Sequence, residues 1–380
     1  MRKIFLLCAA LVTVAAGAQQ TPRWLRNSAI SPDGKTIAFT YMGDIFAVDA
    51  TGGSARRITS HEAYDTQPVW SPDSKQIAFA STRKGSMDIY IVSKDGGVPK
   101  RLTTHSTSEK PVAFLNNNEI LYVAAMMPDN QYGEFPNTSQ IYKVSTEGGR
   151  PALFSSEYME SLDINAKGEI IYHDKKGYED QWRKHHRSSI TRDIWKTTVE
   201  GPRKYTKLSS FNGEDRNPVW SADGNSYYYL SEQNGSFNVY HATADGSNKQ
   251  ITKHSKHPVR FLTAADNGTL CYTFDGDIYT ITPGKSSKKV NINLTADIAP
   301  TDRRIMSLTS GAREIAVSKN EKEIAFIARG DVFVTMAEHN STRRITDTPE
   351  QEFLSSGDWY VGDLLELQKG CEGPFGSSRG

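Results

Sequence analysis

A strand-like motif recurs seven times along this chain of 380 residues and limits the folds that the chain can adopt. Each copy carries an acidic or amide residue, then Ile or Val, then an aromatic residue, as a half-buried β-strand requires. The copies are GDIFAVD at 43–49, MDIYIVS at 87–93, SQIYKVS at 139–145, RDIWKTT at 192–198, FNVYHAT at 237–243, GDIYTIT at 276–282 and GDVFVTM at 330–336. Their spacing of 39 to 54 residues overlaps the period of a four-stranded propeller blade.

Turn and strand motifs recur around this strand in a fixed order. A turn such as SPDG at 31–34 stands before the preceding strand, and a glycine-rich turn such as ATGG at 50–53 follows the motif. A last strand ends in a basic residue, an aliphatic residue and Thr, as in RRIT at 56–59. Asp, Asn, Gly and Pro provide the backbone angles of tight turns. Each repeat therefore holds four short antiparallel strands, and radial repetition of such sheets predicts an all-β β-propeller.

The spacing of the repeats predicts where domains begin and end. Twenty-two residues separate Thr295 from Ser318, whereas eleven separate Thr59 from Ser71, so the longer segment is interpreted as a connection between domains. We expect a six-bladed propeller over 19–298, a linker over 299–315 and the first blade of a second, truncated propeller over 316–348. The alternative is a single ring of seven blades.

The last segment of the sequence, residues 349–380, contains no further turn, strand motif or Ile-Thr ending. We interpret it as an irregular tail that results from truncation or a change of reading frame. A divergent terminal cap is the alternative.

The first residues have the pattern of an export signal. Arg2 and Lys3 precede an apolar run over 4–16, and Ala16-Gly17-Ala18 provides small residues for cleavage. We therefore expect a signal peptide over 1–18, export across the inner membrane and a periplasmic location, with an N-terminal membrane anchor as the alternative. After cleavage no apolar run approaches the length of a membrane span.

Composition and motifs narrow the possible functions. The 45 Lys and Arg residues nearly balance the 44 Asp and Glu residues, so overall charge does not favour nucleic acid. No H-E-x-x-H, C-x-x-C or G-x-G-x-x-G motif is present. The sequence thus predicts no metal site and no cofactor. An enzyme with a site on the propeller axis would need inward-facing acidic or His residues at equivalent places in several blades, and none is evident.

Repeats of the form SPDG…IAF…DIY…GG…RLT resemble the WD40-type propellers of the periplasmic TolB protein and of tricorn proteases. The repeats do not separate these two families, but two further segments are similar to bacterial tricorn homologues. One is the basic, aromatic insert at 178–191, and the other is the crossing between two propellers at 301–335. The resemblance covers almost all of residues 20–352 and identifies the chain as similar to the N-terminal propeller region of that family.

The resemblance implies a function without catalysis for this chain. Tricorn homologues are large serine peptidases, sometimes homo-oligomeric, in which two propellers precede the catalytic domains. The six-bladed ring then acts as a scaffold or peptide channel, and no position here matches the nucleophilic serine, its base or the oxyanion donors. The alternative is a free-standing, TolB-like periplasmic propeller that binds proteins.

The basic insert is the candidate contact site for a peptide or protein partner. Its basic side chains are suited to bind an acidic partner or a peptide carboxylate, although a solvated insert paired with Glu179 and Asp180 is the alternative. Adjacent His side chains diverge on a strand, so metal ligation is not expected there. The candidate residues are Trp182, Arg183, Lys184, His185, His186 and Arg187, with Arg192 continuing the basic run.

Overall fold

The computed structural model describes residues 22–126, 139–177, 185, 187–243, 246–294, 310–339 and 341–346. The chain separates into two compact units, Met1–Ala296 and Asp297–Gly380. Every regular element in the described ranges is a β-strand, which confirms the all-β prediction. The predicted signal peptide, most of the predicted linker and the tail lie outside these ranges.

Three antiparallel sheets occupy the first half of the first unit. The first contains β1 (Arg26–Ile30), β2 (Thr36–Tyr41), β3 (Asp44–Asp49) and β4 (Gly53–Arg57). The second contains β5 (Asp65–Trp70), β6 (Gln76–Lys84), β7 (Ser86–Ser93) and β8 (Lys100–Arg101). The third contains β9 (Lys110–Asn116), β10 (Glu119–Ala124), β11 (Gln140–Ser145) and β12 (Ala152–Ser155). Within each sheet the strands lie in sequence order, as a meander requires.

Three more sheets complete the described part of this unit. The fourth contains β13 (Met159–Ile164), β14 (Glu169–Asp174), β15 (Ile194–Thr198) and β16 (Thr206–Lys207). The fifth contains β17 (Asp215–Trp220), β18 (Tyr227–Ser231), β19 (Asn238–Ala242) and β20 (Asn248–Gln250). The sixth contains β21 (Arg260–Ala264), β22 (Leu270–Phe274), β23 (Asp277–Ile281) and β24 (Lys288–Lys289).

The six sheets form a closed ring. The first strand of each sheet, here called the inner strand, packs against the sheet before it, and β21 of the sixth sheet packs against β1 of the first. A last short strand, β25 (Ile292–Leu294), pairs in parallel with β4, so a segment from the end of the unit completes its first sheet. This radial order of sheets is the propeller arrangement that the repeats predicted.

Gly52 is required where β25 meets the first sheet. Its φ is +101°, and a Cβ atom there would lie 2.7 Å from the carbonyl oxygen of Asn291. The next residue, Gly53, donates its N–H to that same oxygen over 2.8 Å. The glycine-rich turn at 50–53 thus permits both the tight backbone angle and the close approach of β25.

Three residues that recur in the sequence repeats, an acidic residue, a basic residue and the closing Thr, join the third and fourth strands of a sheet. We call this arrangement the clasp. In the first sheet the Arg57 guanidinium pairs with the Asp44 carboxylate. The N–H of Ile45 donates to Thr59 Oγ1 over 2.9 Å. The second sheet repeats this with an Arg101–Asp88 pair at 2.8 Å and a hydrogen bond from Ile89 N–H to Thr103. The acidic residue and the closing Thr are therefore structural.

The SPDG turns are held by their own side chains. Ser31 Oγ donates to Asp33 Oδ1 over 2.6 Å, and the Lys35 N–H donates to the same oxygen over 3.0 Å. Ser71, Asp73 and Lys75 repeat the arrangement. The turn carboxylates thus bond to the turn itself.

Aromatic side chains join neighbouring strands and sheets. Phe39 and Phe46 stack within the first sheet and are 0% and 1% exposed. Trp70 Nε1, from the second sheet, donates to the Ala29 carbonyl of the first over 2.9 Å. Full burial of one such side chain contributes about 1.5–3 kcal/mol to folding.

The second unit has one described sheet, formed by β26 (Arg313–Val317), β27 (Glu323–Ala328), β28 (Asp331–Met336) and β29 (Thr342–Arg344). It begins at Arg313, three residues before the start predicted for this blade. The sheet repeats the clasp, since Arg344 pairs with Asp331 at 3.0 Å and the Val332 N–H donates to Thr346 over 2.9 Å.

Candidate functional site

A cavity of about 540 Å³ lies inside the ring of the first unit. All six inner strands contribute to its wall, so it lies on the axis of the propeller. We call it the central channel. Each inner strand contributes at least one residue to the lining, for example Asn27, Gln67, Lys110, Glu160, Asn217 and Phe261.

The inner strands bulge where they face the channel. Asn27, Gln67, Ser161, Asn217 and Phe261 have φ between 46° and 55°, an unusual region for residues other than Gly. The register of each of these strands with its neighbour shifts at the same place. Such bulges redirect side chains and leave backbone groups outside the ladder.

Side chains at the bulges connect successive inner strands. Asn27 Nδ2 donates to Thr66 Oγ1 of the next sheet over 2.8 Å. Asn217 Nδ2 donates to Ser161 Oγ of the preceding sheet over 3.0 Å. These hydrogen bonds hold the wall of the channel in a fixed shape.

A network of charged side chains forms one side of the channel. Arg192, 2% exposed, contacts Glu160 at 3.1 Å and Glu214 at 3.5 Å. Arg216 Nε contacts Glu214 at 2.8 Å, and its guanidinium lies 5.1 Å from the centre of the Phe237 ring. Glu214 is fully buried behind the wall, whereas the other charged members line the channel. Two arginines that share a buried carboxylate are thereby fixed in orientation.

His173 completes the network in a defined protonation state. Its Nδ1 accepts the N–H of Asn217 at 3.1 Å, so the proton of the neutral ring is on Nε2, 3.3 Å from Glu160 Oε2. Burial lowers the pKa of His173 and outweighs the opposing effect of Glu160. Burial also acts to raise the pKa of Glu160, but the hydrogen bond from His173 and the charge of Arg192 hold it well below its usual range. The carboxylate is therefore ionised and the imidazole neutral near pH 7.

Two lysines after β14 extend the charged wall. Lys176 Nζ donates to the Thr191 carbonyl over 2.7 Å and pairs with Asp193 and with Asp174, the latter at 3.4 Å. Lys175 Nζ lies 3.3 Å from the Tyr158 hydroxyl.

The predicted contact residues are only partly described. Trp182, Arg183, Lys184 and His186 lie outside the described residues. The backbone N–H of His185 donates to Glu232 Oε2 over 2.7 Å, and its Nδ1 lies 3.6 Å from the same carboxylate. Arg187 is exposed. Arg192, which continued the basic run in the sequence, is buried in the channel network because two carboxylates neutralise it.

Sequence reasoning missed the acidic residues at equivalent places in several sheets. Asp65 and Asp215 are the first residues of β5 and β17, Glu109 directly precedes β9, and the three are 0%, 1% and 0% exposed. They lie outside the lining of the channel, so they do not form an axial site. Alignment of D-R-N-P-V-W at 215–220 with D-T-Q-P-V-W at 65–70 is the signal that reveals Asp65 and Asp215, whereas Glu109 stands one place nearer its proline.

Comparison with known proteins identifies the family. The model of the tricorn protease N-terminal beta propeller domain matches residues 22–287, which is most of the chain. The chain belongs to this family. The matched range begins before β1 and ends between β23 and β24, so it covers nearly all of the six sheets around the channel.

Curated relatives of this tricorn propeller are longer proteins. The tricorn protease homolog of Saccharolobus solfataricus is 25% identical over 311 residues, which cover 79% of this chain and 27% of the relative. Tricorn protease of Thermoplasma acidophilum is 23% identical over 331 residues, 81% of this chain and 29% of that protein. The chain thus spans less than a third of either relative.

A solved structure supports the fold. The crystal structure of the tricorn protease superposes with a TM-score of 0.59 at 18% identity, covering 86% of this chain and 32% of that one. At this identity the likeness concerns the fold alone.

Within the described ranges no group of three or more His, Cys, Asp or Glu residues is arranged to hold a metal ion. None of the described segments is a helix with the length and apolarity needed to cross a membrane. The sequence has one G-x-S-x-G spacing, at 376–380, outside the described residues.

Proposed function

We propose that this chain is the non-catalytic propeller segment of a tricorn-like serine peptidase, and that its central channel binds or passes peptides. The observation that carries the proposal is that the family match at 22–287 covers a ring of sheets around an axial cavity with both charged and apolar groups in its wall. Peptides are suitable ligands because the wall offers both charged groups and half-buried apolar ones. The family match favours this function over that of a free-standing TolB-like propeller.

The shape of the channel also supports a passive role. Hydrogen bonds between neighbouring inner strands fix the wall, and the charged network is held by buried partners. A preformed wall binds without the cost of ordering loops. The catalytic step of the parent peptidase would then belong to other domains.

Export is part of the same proposal. We infer that residues 1–18 direct the chain across the inner membrane and are removed, which places the propeller in the periplasm. Mass spectrometry of the N-terminus after expression in a bacterial host tests this, since an intact Met1 would overturn it.

Peptide binding can be tested on the full chain with a channel-filling variant. Ser161→Trp places a large side chain on the channel wall, and Leu153→Trp is the matched control because Leu153 is 50% exposed on the outer strand β12. Fluorescence anisotropy with a labelled mixture of short peptides should show binding to the unaltered chain and the control and much weaker binding to Ser161→Trp. Equal binding by all three would refute a channel site, and turnover of the peptides by the chain would refute the non-catalytic role.

A further inference from the structure

The inner strands of all six sheets bulge at an equivalent place on the wall of the central channel. In five of them the bulge residue has a positive φ, and in β9 the register with β10 shifts around Val112. Each bulge residue lines the channel, is half-buried and carries no charge. We call these six residues the bulge ring: Asn27, Gln67, Val112, Ser161, Asn217 and Phe261.

Four members of the bulge ring offer hydrogen-bonding groups to the channel. Asn27 and Asn217 donate through Nδ2 to Thr66 and Ser161, and neither Oδ1 atom has a partner among the described residues. The Ser161 hydroxyl accepts one of these bonds and can still donate its own proton. Gln67 Oε1 is buried without a hydrogen-bond partner in the described ranges, an unfavourable state that a bound donor would relieve. These groups can therefore both donate to and accept from a molecule in the channel.

Most charged groups of the wall are already engaged within the protein. Glu160, the carboxylate of the lining, is contacted by His173 and Arg192. The cationic lining residues that have a partner are Lys175, Lys176, Arg192, Arg216 and Arg260. Lys110, by contrast, is exposed. Because a ligand would have to displace partners to use the paired charges, the neutral groups of the bulge ring are more readily available to it.

The two remaining members of the bulge ring are apolar and lie on opposite sides of the channel. Val112 belongs to the third sheet and Phe261 to the sixth, and the sheets follow one another in order around the ring. The polar members therefore occupy the two sides between them, on the first and second sheets and on the fourth and fifth. An extended peptide has the same alternation, with N–H and C=O groups along two edges and side chains on its two faces.

We propose that the bulge ring binds the main chain of an extended peptide, with polar members at the two edges of the peptide and Val112 and Phe261 against its faces. This inference rests on the proposed peptide-binding function and specifies the group that the channel recognises. Every residue except proline offers the same main-chain N–H and C=O groups. Because hydrogen bonds to these groups provide affinity without reading side chains, the channel should accept peptides of varied sequence.

The test uses labelled, uncharged peptides of equal length, each with an acetylated N-terminus and an amidated C-terminus. Anisotropy titrations of the full chain compare one peptide with its copy methylated on alternate main-chain nitrogens, which lacks those N–H donors. The unmethylated peptide should bind about tenfold more tightly, the effect of one or two neutral hydrogen bonds. A second peptide with different uncharged side chains should bind like the first, within roughly threefold.

Three variants make the test specific. Gln67→Met removes an amide from the bulge ring and keeps the length of the side chain, and Gln76→Met makes the same change at a half-buried place in β6 outside the lining. Gln67→Met should weaken binding of the unmethylated peptide and reduce the ratio between the two peptides, whereas Gln76→Met should change neither. Lys110→Gln removes the exposed cation and should leave the binding of uncharged peptides unchanged.

The outcomes separate this inference from the function beneath it. Equal binding of the methylated and unmethylated peptides, or equal effects of Gln67→Met and Gln76→Met, overturns main-chain recognition but leaves peptide binding intact. A larger loss for Lys110→Gln than for Gln67→Met would assign the binding to charge and overturn it as well. Binding of none of the peptides overturns the proposed function and the inference together.

Discussion

The sheet of the second unit and the sheets of the first are built alike but buried differently. Both have the clasp of a carboxylate, an arginine and a threonine, and both have a bulge in the inner strand, at Glu314 in β26 with φ 51°. In the first unit Ile30 and Trp70 near the end of their inner strands are 4% and 6% exposed, whereas the equivalent Val317 is 56% exposed. The clasp is therefore common to both units, whereas the burial of the last residue of the inner strand differs between them.

The largest difference in stability between the two units should come from removing a buried aromatic side chain. Phe79→Ala empties a fully buried site in β6 and should lower the free energy of unfolding of the first unit by about 3–5 kcal/mol. Phe326→Ala, at the equivalent and half-buried place in β27, should cost clearly less. Chemical denaturation of each variant checks the pair. Equal losses would show that the two sheets are buried alike in solution.

Breaking the clasp should give the next largest effect. Thr103→Val keeps the shape of the side chain but leaves the buried N–H of Ile89 without its acceptor, which costs about 1–3 kcal/mol. Thr346→Val removes the same bond from Val332 at a half-buried place in the second unit and should cost less. Denaturation midpoints of the two variants provide the comparison, and a larger loss for Thr346→Val would contradict it.

The pH dependence should also differ between the units. Burial, opposed by the hydrogen bond from Thr103 and the charge of Arg101 and assisted by nearby Asp88, raises the pKa of Glu109 to about 7. Because this carboxyl group binds its proton more tightly when folded, its contribution is full below the unfolded pKa and is lost as pH rises through about 7. The equivalent residue of the second unit is Ala312, which does not titrate.

A neutral variant isolates that effect. Glu109→Gln should be stabilising relative to the unaltered chain by on the order of 1 kcal/mol at about pH 8, and by little or nothing at about pH 5. Thermal unfolding at both pH values measures it. A stability difference that does not change with pH would assign Glu109 a different role.

The smallest effect concerns the exposed strand β26. Val317→Thr should change stability by no more than about 0.5 kcal/mol because the side chain is mostly exposed. Ile30→Thr, at the equivalent buried place in β1, should cost roughly 1–3 kcal/mol. Hydrogen exchange of the two strands gives a second readout, and strong protection at 313–317 would argue against the exposed state.

The sequence predicted the structural features that recur in every sheet, but it did not predict the channel network, whose residues do not recur. The acidic residue of each strand motif and the closing Thr recur because every sheet needs the same clasp, so Asp44 and Thr59 pointed directly to the fold. The channel network cannot be read this way, because Glu160, His173 and Glu214 come from separate positions and meet only in the folded ring. Arg192 is the clearest example, because its place in a basic run of the sequence does not indicate that its side chain is buried.

The parallel pairing of β25 with β4 has a consequence for the order of folding during synthesis. The strand at 292–294 is made more than two hundred residues after its partner at 53–55, so the first sheet waits for its fifth strand until nearly the whole unit has left the ribosome. A closure across so long a stretch of chain is entropically costly and slow compared with the hairpins inside each sheet. Until β25 is made, β4 presents an unpaired edge. During this period the nascent ring is most open to wrong strand pairing and to binding by chaperones.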